Sequence, residues 1–253
     1  ALKGDNVVTR SAHMTWFRGP TLMAMLETAP IPNPASDHGL RFPVQWVNRP
    51  HLDFRGFSGT IAAGTVKPGD EVRVLPSGAT AKITEIILFE QKLEQAQCGQ
   101  AVTLTLDKEI DASRGDMIVS AQDPCEVSDQ FEVDLVWMAS EKGFIGRSYG
   151  MQVGSSWVNA QITEIKHKTN VNTLETSPAR SLELNDIVVA KLSLDKPVAF
   201  ELYQQCRALG AFILVDRFSN ATVAAGMINY ALRRAANVHM QNLSVNKAQR
   251  HKL

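Results

Sequence analysis

From Arg41 onward the chain alternates apolar and polar positions over short runs. Val102, Leu104 and Leu106 share one face of an extended segment and Thr103 and Thr105 the other, while Val72 and Val74 flank Arg73 in the same way. A period of two is that of a strand with one buried face. The pattern predicts strands over 42–47, 59–66, 71–75, 81–89 and 102–106, and five or six short strands within residues 40–126 read as a barrel. Between two of them, Lys67-Pro68-Gly69-Asp70 places Pro and Gly where a type II turn needs a fixed negative φ followed by a positive one. After Asp123-Pro124 a second set begins, with Phe131, Val133, Leu135 and Trp137 on one face and Glu132 and Asp134 on the other. Further strands are expected over 148–153, 158–168, 187–194, 212–216 and 222–228, making a second all-β domain over residues 127–229. Trp46, Trp137 and Trp157 fall in strand patterns and are expected in core or interdomain packing.

The two ends have a different character. Thr21 to Thr28 reads as a short helix bounded by Gly19-Pro20 and by Pro30, Pro32 and Pro34, with a Pro-rich linker closing residues 1–39. Residues 230–253 hold Arg233, Arg234, Lys247, Arg250 and Lys252 without an acidic residue, and read as a basic tail, helical around 232–237. The expected fold class is therefore all-β: two tandem β-barrels with a short N-terminal helical segment and a basic C-terminal tail.

Charge and cysteine content narrow the partners. Lysine plus arginine number 26, as do aspartate plus glutamate, so no global field draws the 253-residue chain to nucleic acid or an anionic membrane. Cys98, Cys125 and Cys206 are odd in number and far apart, which suits a reducing compartment better than a disulfide framework, and a cytoplasmic location is expected. The opening residues resemble neither a signal nor a transit peptide, and no apolar run approaches the roughly 18 residues a membrane span needs.

Chemical motifs are sparse. Gly59 to Gly64 has the glycine spacing of a phosphate-binding loop but is followed by Thr65 and Val66 rather than Lys and Ser/Thr, so it reads as a strand crossing close to a neighbour. Asp53-Phe54-Arg55-Gly56 matches the Asp-x-x-Gly pattern of GTPase switches only formally, and Asn246-Lys247 lacks the aspartate that reads guanine. The six histidines form no metal-binding pair, and no Gly-x-Ser-x-Gly elbow occurs. No catalytic, cofactor-binding or metal-ligating residue is assigned; the residues alone describe a tandem-barrel binding or coupling module.

Longer motifs carry a family resemblance. Residues 59–72, Gly-Thr-Ile-Ala-Ala-Gly-Thr-Val-Lys-Pro-Gly-Asp-Glu-Val, and Ser113-Arg114-Gly115-Asp116-Met117 resemble the second domain of elongation factor Tu and its relatives, and residues 216–227 resemble the end of the third. Within that superfamily, residues 42–50 (Phe-Pro-Val-Gln-Trp-Val-Asn-Arg-Pro), residues 53–57, Val136-Trp137-Met138 and Tyr203-Gln204-Gln205 resemble the GTPase subunit of bacterial sulfate adenylyltransferase. Residues 1–8 are similar to the last guanine-contacting loop of its GTPase domain, 16–27 to the exit helix, and the tail to the lead into a fused adenylylsulfate kinase.

The resemblance implies translation-factor-like barrels in a subunit that couples GTP hydrolysis to formation of adenylyl sulfate and pyrophosphate from ATP and sulfate. It places GTP and Mg in a GTPase domain outside this chain, and the adenylyltransferase site in a smaller partner subunit. It also implies that a fused adenylylsulfate kinase could follow. For this chain the loop from Arg49 to Gly56 is the expected switch or partner contact. Arg49 and Arg55 offer forked donors, and Asp53 is placed to orient one of them. Arg217 and Asn220, before the last strand, are weaker candidates for turn or interface contacts. The competing reading, a translation-factor module binding transfer RNA, calls for a basic face with exposed aromatics, and outside the tail no such cluster is evident.

Overall fold

The computed structural model describes residues 3–29, 38–51, 54–89 and 91–232. The basic tail beyond Leu232 and the linker prolines lie outside the described residues, as does Asp53. The chain divides into two units, Ala1–Pro34 and Ala35–Leu253.

In the first unit the expected helix spans Leu22–Thr28, and the Thr21 hydroxyl caps it by accepting from the Ala24 amide. Two further amides of its first turn are satisfied from the chain ahead, Leu22 donating to Asn6 O at 2.9 Å and Met23 to Val7 O at 3.0 Å. Leu22, Met25 and Leu26 on this helix, and Trp16 before it, are exposed.

The second unit contains both β systems. In the first, antiparallel strands run in the spatial order Arg41–Pro43, Met117–Ser120, Glu71–Leu75, Thr80–Leu88, Ala101–Leu106, Gly56–Thr60 and Trp46–Asn48. The sheet curls back on itself: the Arg41 amide donates to Ala63 O and the Ala62 amide to Arg41 O. Val72, Val74, Val102 and Leu104 point inward as the alternation requires, joined by Phe42, Phe57, Ile83 and Ile118.

The second system is a closed six-stranded barrel. Ser148–Val153, Ala211–Val215, Thr222–Ala231, Glu126–Trp137, Ile187–Phe200 and Ser156–Thr169 pair in that order, and the last pairs again with the first. Closure leaves no free edge among these six. Phe131, Val133, Leu135 and Trp137 all face its core, with edge-to-face contacts between Phe131 and Phe200 at 4.7 Å and between Trp137 and Tyr149 at 5.7 Å. The all-β, two-barrel fold class is thus the observed one.

Several element limits differ from the pattern. The run 42–47 splits in two, because Pro43 has no amide to continue a ladder and the chain must leave one sheet neighbour for another. Val44 then donates to Asp116 O and Gln45 to Ser58 O. The run 59–66 is also interrupted, with Gly64 at φ +74° before the short strand Thr65–Val66. Conversely, Ile187–Phe200 outruns its predicted end at 194 despite Pro197. The partner strand skips register between Ser128 and Gln130, so Pro197 falls where no ladder donor is required.

Between the two β systems lies a smaller apolar cluster of Leu75, Met117, Val119, Cys125, Cys206 and Leu209. Arg41 passes through it, 2% exposed, to the loop after the Ile187–Phe200 strand.

Candidate functional site

The strand pair Trp46–Asn48 and Gly56–Thr60 brings the ends of the Arg49 to Gly56 loop together, with Asn48 opposite Gly56. Gly56 is required by packing: an added Cβ would lie 2.5 Å from Thr103 Cγ2 and 2.8 Å from Phe54 Cε1. Arg55 leaves this strand end with its guanidinium 5.4 Å from the centre of the Phe57 ring. Its Nη2 donates to Ala112 O at 3.2 Å and lies 3.9 Å from Asp111, while Nη1 lies 3.9 Å from Glu109. Arg49, half exposed, forms an ion pair with the same Glu109 oxygen. The two arginines therefore converge on one carboxylate.

Beside them opens a cleft of about 390 Å³, with Arg49, Phe54, Arg55, Thr84, Lys108 and Glu109 on its walls. Its chemistry is that of recognition: guanidinium forks that can exchange Glu109 for another carboxylate or a phosphate, over aromatic rings. Among the described residues no group of three or more His, Cys, Asp and Glu is placed to hold a metal ion. Sequence reasoning placed Asp53, which lies outside the described residues, to orient one of the arginines. It missed Glu109 and Asp111, whose contact arises from strand pairing across about 60 positions.

Arg217 and Asn220 are in the turn between Ala211–Val215 and Thr222–Ala231, away from this cleft's walls. Arg217 is exposed. Asn220 adopts φ +56° and its amide donates to Asp216 O at 2.9 Å, a turn geometry that asparagine tolerates. The organiser of the turn is Asp216, which the pattern did not single out. Its Oδ1 accepts from the amides of Phe218 at 3.0 Å and Ser219 at 2.9 Å and from the Ser219 hydroxyl at 3.1 Å, and its Oδ2 pairs with Arg147. The Ser219 and Phe218 amides lead in holding its carboxyl down at about 2, with the Ser219 hydroxyl and Arg147 adding to them.

The tryptophans require a correction. Trp137 is core, 1% exposed, with its indole N–H on Glu141 O at 2.8 Å. Trp46 is 64% exposed and not a core residue; Trp157, 47% exposed, is not core either, but it lines a cleft with Pro76, Arg114 and Gly115 of the first barrel, as interdomain packing requires. Trp46 is on the last strand in the sheet order, with one side of its ladder unpaired, and its side chain stands outward.

Comparison with known proteins agrees with this architecture. The model for elongation factor Tu domain 2 matches residues 57–119, and that for the C-terminal domain-like region of the GTP-binding factor eEF1A matches 130–229. A solved structure of Sup35 complexed with GMPPNP superposes with a TM-score of 0.73 over 92% of this chain and 57% of that one, at 22% identity. The chain belongs to the elongation factor Tu-like superfamily and carries two of its barrels.

Its homologues there are sulfate adenylyltransferase subunit 1 and related bifunctional enzymes. It is 50% identical over 251 residues to the bifunctional enzyme NodQ of Azospirillum brasilense, covering 99% of this chain and 40% of that protein. It is 51% identical over 229 residues to sulfate adenylyltransferase subunit 1 of Chromobacterium violaceum, covering 90% and 48%. With the bifunctional CysN/CysC of Xylella fastidiosa the identity is 45% over 253 residues, covering 100% and 41%. The chain thus spans less than half the length of these relatives.

Proposed function

We propose that this chain supplies the C-terminal barrels, residues 40–126 and 127–229, of a GTPase subunit of sulfate adenylyltransferase. In that role it helps couple GTP hydrolysis to the formation of adenylyl sulfate and pyrophosphate from ATP and sulfate, in the cytoplasm. The observation that carries this reading is the 51% identity extending over 90% of the chain to sulfate adenylyltransferase subunit 1 of Chromobacterium violaceum. GTP and Mg belong to a GTPase domain outside the described barrels. The bare apolar surface of Trp16, Leu22, Met25 and Leu26 fits residues 1–39 as the edge of such a domain. The adenylyltransferase site belongs to a smaller partner subunit, and an adenylylsulfate kinase domain follows in the fused form.

Coupling needs a contact that differs between nucleotide states. The loop bearing Arg49, Asp53, Arg55 and Gly56 is that contact in this reading. Arg49 is its functional donor because it is half exposed and, among the described residues, held by Glu109 alone, whereas Arg55 is also committed to Phe57 and Ala112. The test is a full-length parent protein carrying Arg49→Ala, reconstituted with the small subunit. A several-fold fall in GTP-stimulated adenylyl sulfate synthesis, with thermal stability unchanged, is the expected result. Undiminished stimulation removes the loop from the coupling path. Calorimetric titration of the chain against the small subunit, with transfer RNA as competitor, tests the wider assignment: RNA bound in its place returns the chain to the translation-factor reading.

A further inference from the structure

The chain's three cysteines, remote from one another in sequence, meet at the seam between the two barrels. Cys125 and Cys206 belong to the seam's apolar cluster, and Ala62 packs against it. Cys98 Sγ donates to Ala62 O at 3.3 Å, and Cys206 Sγ lies 3.8 Å from the same oxygen. One carbonyl therefore gathers a thiol from each barrel: Cys98 follows the Ala96–Gln97 strand of the first, and Cys206 immediately precedes the Arg207–Gly210 helix of the second.

Both backbones are held. The Cys98 amide donates to Gly64 O at 3.0 Å and the following Gly99 amide to Ile61 O at 2.8 Å. On the other side, the Cys206 amide donates to Leu202 O at 2.9 Å, and Gly210 approaches so closely that an added Cβ would lie 2.3 Å from Tyr203 N. The two thiols differ in access. Cys98 is half-buried on the wall of a cleft of about 690 Å³ that it shares with Ile61, Ala62, Arg114, Ala208 and Leu209. Cys206 is buried, and burial leads in pushing its thiol pKa up. Cys125 is buried elsewhere in the cluster, its Sγ 3.7 Å from Met117 Sδ.

We propose that Cys98 and Cys206 are a hydroperoxide-sensitive thiol pair that closes to a disulfide joining the two barrels. In the first step the Cys98 thiolate attacks one oxygen of a hydroperoxide from the cleft. An S–O bond forms, the O–O bond breaks, the other oxygen departs as an alcohol or water with a proton, and Cys98 becomes a sulfenic acid. Cys206 sulfur then attacks Cys98 sulfur, the S–S bond replaces the S–O bond, and hydroxide leaves as water with the Cys206 proton. Two thiols are oxidised for one peroxide reduced. Closure brings the sulfurs to about 2 Å from one another, starting from positions in which both already lie within 3.8 Å of the same Ala62 oxygen. The product is a covalent tie between the barrels beside the buried Arg41.

The test is to treat the 253-residue chain with hydrogen peroxide, denature it with an alkylating agent present, and map its peptides without reduction. The expected result is loss of two of three free thiols, a peptide linking Cys98 to Cys206, and reversal by dithiothreitol. Cys125→Ser retains the link. Cys206→Ser abolishes it and leaves Cys98 trapped by a sulfenic-acid probe. Three thiols surviving, a link through Cys125 instead, or Cys98 over-oxidised in the unsubstituted chain without any link would each overturn the proposal.

Discussion

Arg41 Nε donates to Glu201 Oε1 at 2.5 Å across the seam between the barrels, both side chains buried. Arg41 leaves the first strand of one barrel, while Glu201 follows the Ile187–Phe200 strand of the other. The guanidinium is almost fully occupied, since Nη1 donates to Leu40 O at 3.2 Å and Asp123 O at 2.6 Å, and Nη2 to Asp123 Oδ2 at 3.2 Å. One side chain thus ties together both barrels and the segment that connects them. Burial works against its charge, but the hydrogen bond and attraction of Glu201, with Asp123, prevail and raise its pKa.

Removing one partner of such a pair strands the other in the apolar seam. Arg41→Ala is expected to destabilise the chain by about 3–5 kcal/mol, whereas the paired replacement Arg41→Met with Glu201→Leu should recover much of that. Urea denaturation of Arg41→Met alone, Glu201→Leu alone and the double closes the cycle, with Arg41→Ala measured beside them. A strictly additive double would mean that the pair does not interact.

Acid stability should depend on Asp216. Its carboxyl titrates at about 2 in the folded chain, against about 3.9 for an unfolded aspartate. A depressed folded value means the ionised form stabilises the fold above the unfolded value, and that contribution is lost as pH falls from about 4 towards 2. Asp216→Asn should therefore lower the melting temperature at pH 7 and flatten its decline over that window. The measurement is melting temperature against pH for both chains, and parallel curves would refute the assignment.

Where one face is buried, the period of two is legible, as at Val102 and Leu104 or at Phe131 through Trp137. Where a barrel must close, it is not: Met117–Ser120 is flanked by two partners and buried at Met117, Ile118 and Val119, so it shows no alternation and went unpredicted. The site divides likewise. Arg49 and Arg55 are visible as local forked donors, but the carboxylate that joins them is Glu109, and no local pattern links it to them.

The tryptophans show the same limit and give a direct check. Strand periodicity assigns a face but does not say whether that face is covered, which decides the energy. Trp137→Ala empties a core position and leaves Glu141 O without its indole donor, and should cost about 3–5 kcal/mol. Trp46→Ala, on an exposed outer strand, should change stability by less than about 0.5 kcal/mol. Denaturation midpoints for the two variants decide it, and comparable losses would mean that Trp46 is covered.

Gly59 and Gly69 belong to the same motif and are glycine for different reasons, which a second substitution at each separates. At Gly69 the backbone has φ +93° and a Cβ would meet nothing within 4 Å, so the constraint is conformational. Gly69→Ala should cost about 1–2 kcal/mol, and Gly69→Asn distinctly less, because asparagine tolerates positive φ. At Gly59 a Cβ would lie 2.4 Å from the backbone oxygen of Pro43, so the constraint is steric and comes from a neighbouring strand that cannot retreat without opening the barrel. Gly59→Ala should cost about 1–3 kcal/mol, and Gly59→Asn more still, since a longer side chain worsens the clash and no positive φ is relieved. Opposite orders for Ala and Asn at the two positions, read from urea midpoints, are the expected result. The same order at both would mean that the close approach to Pro43 does not govern Gly59.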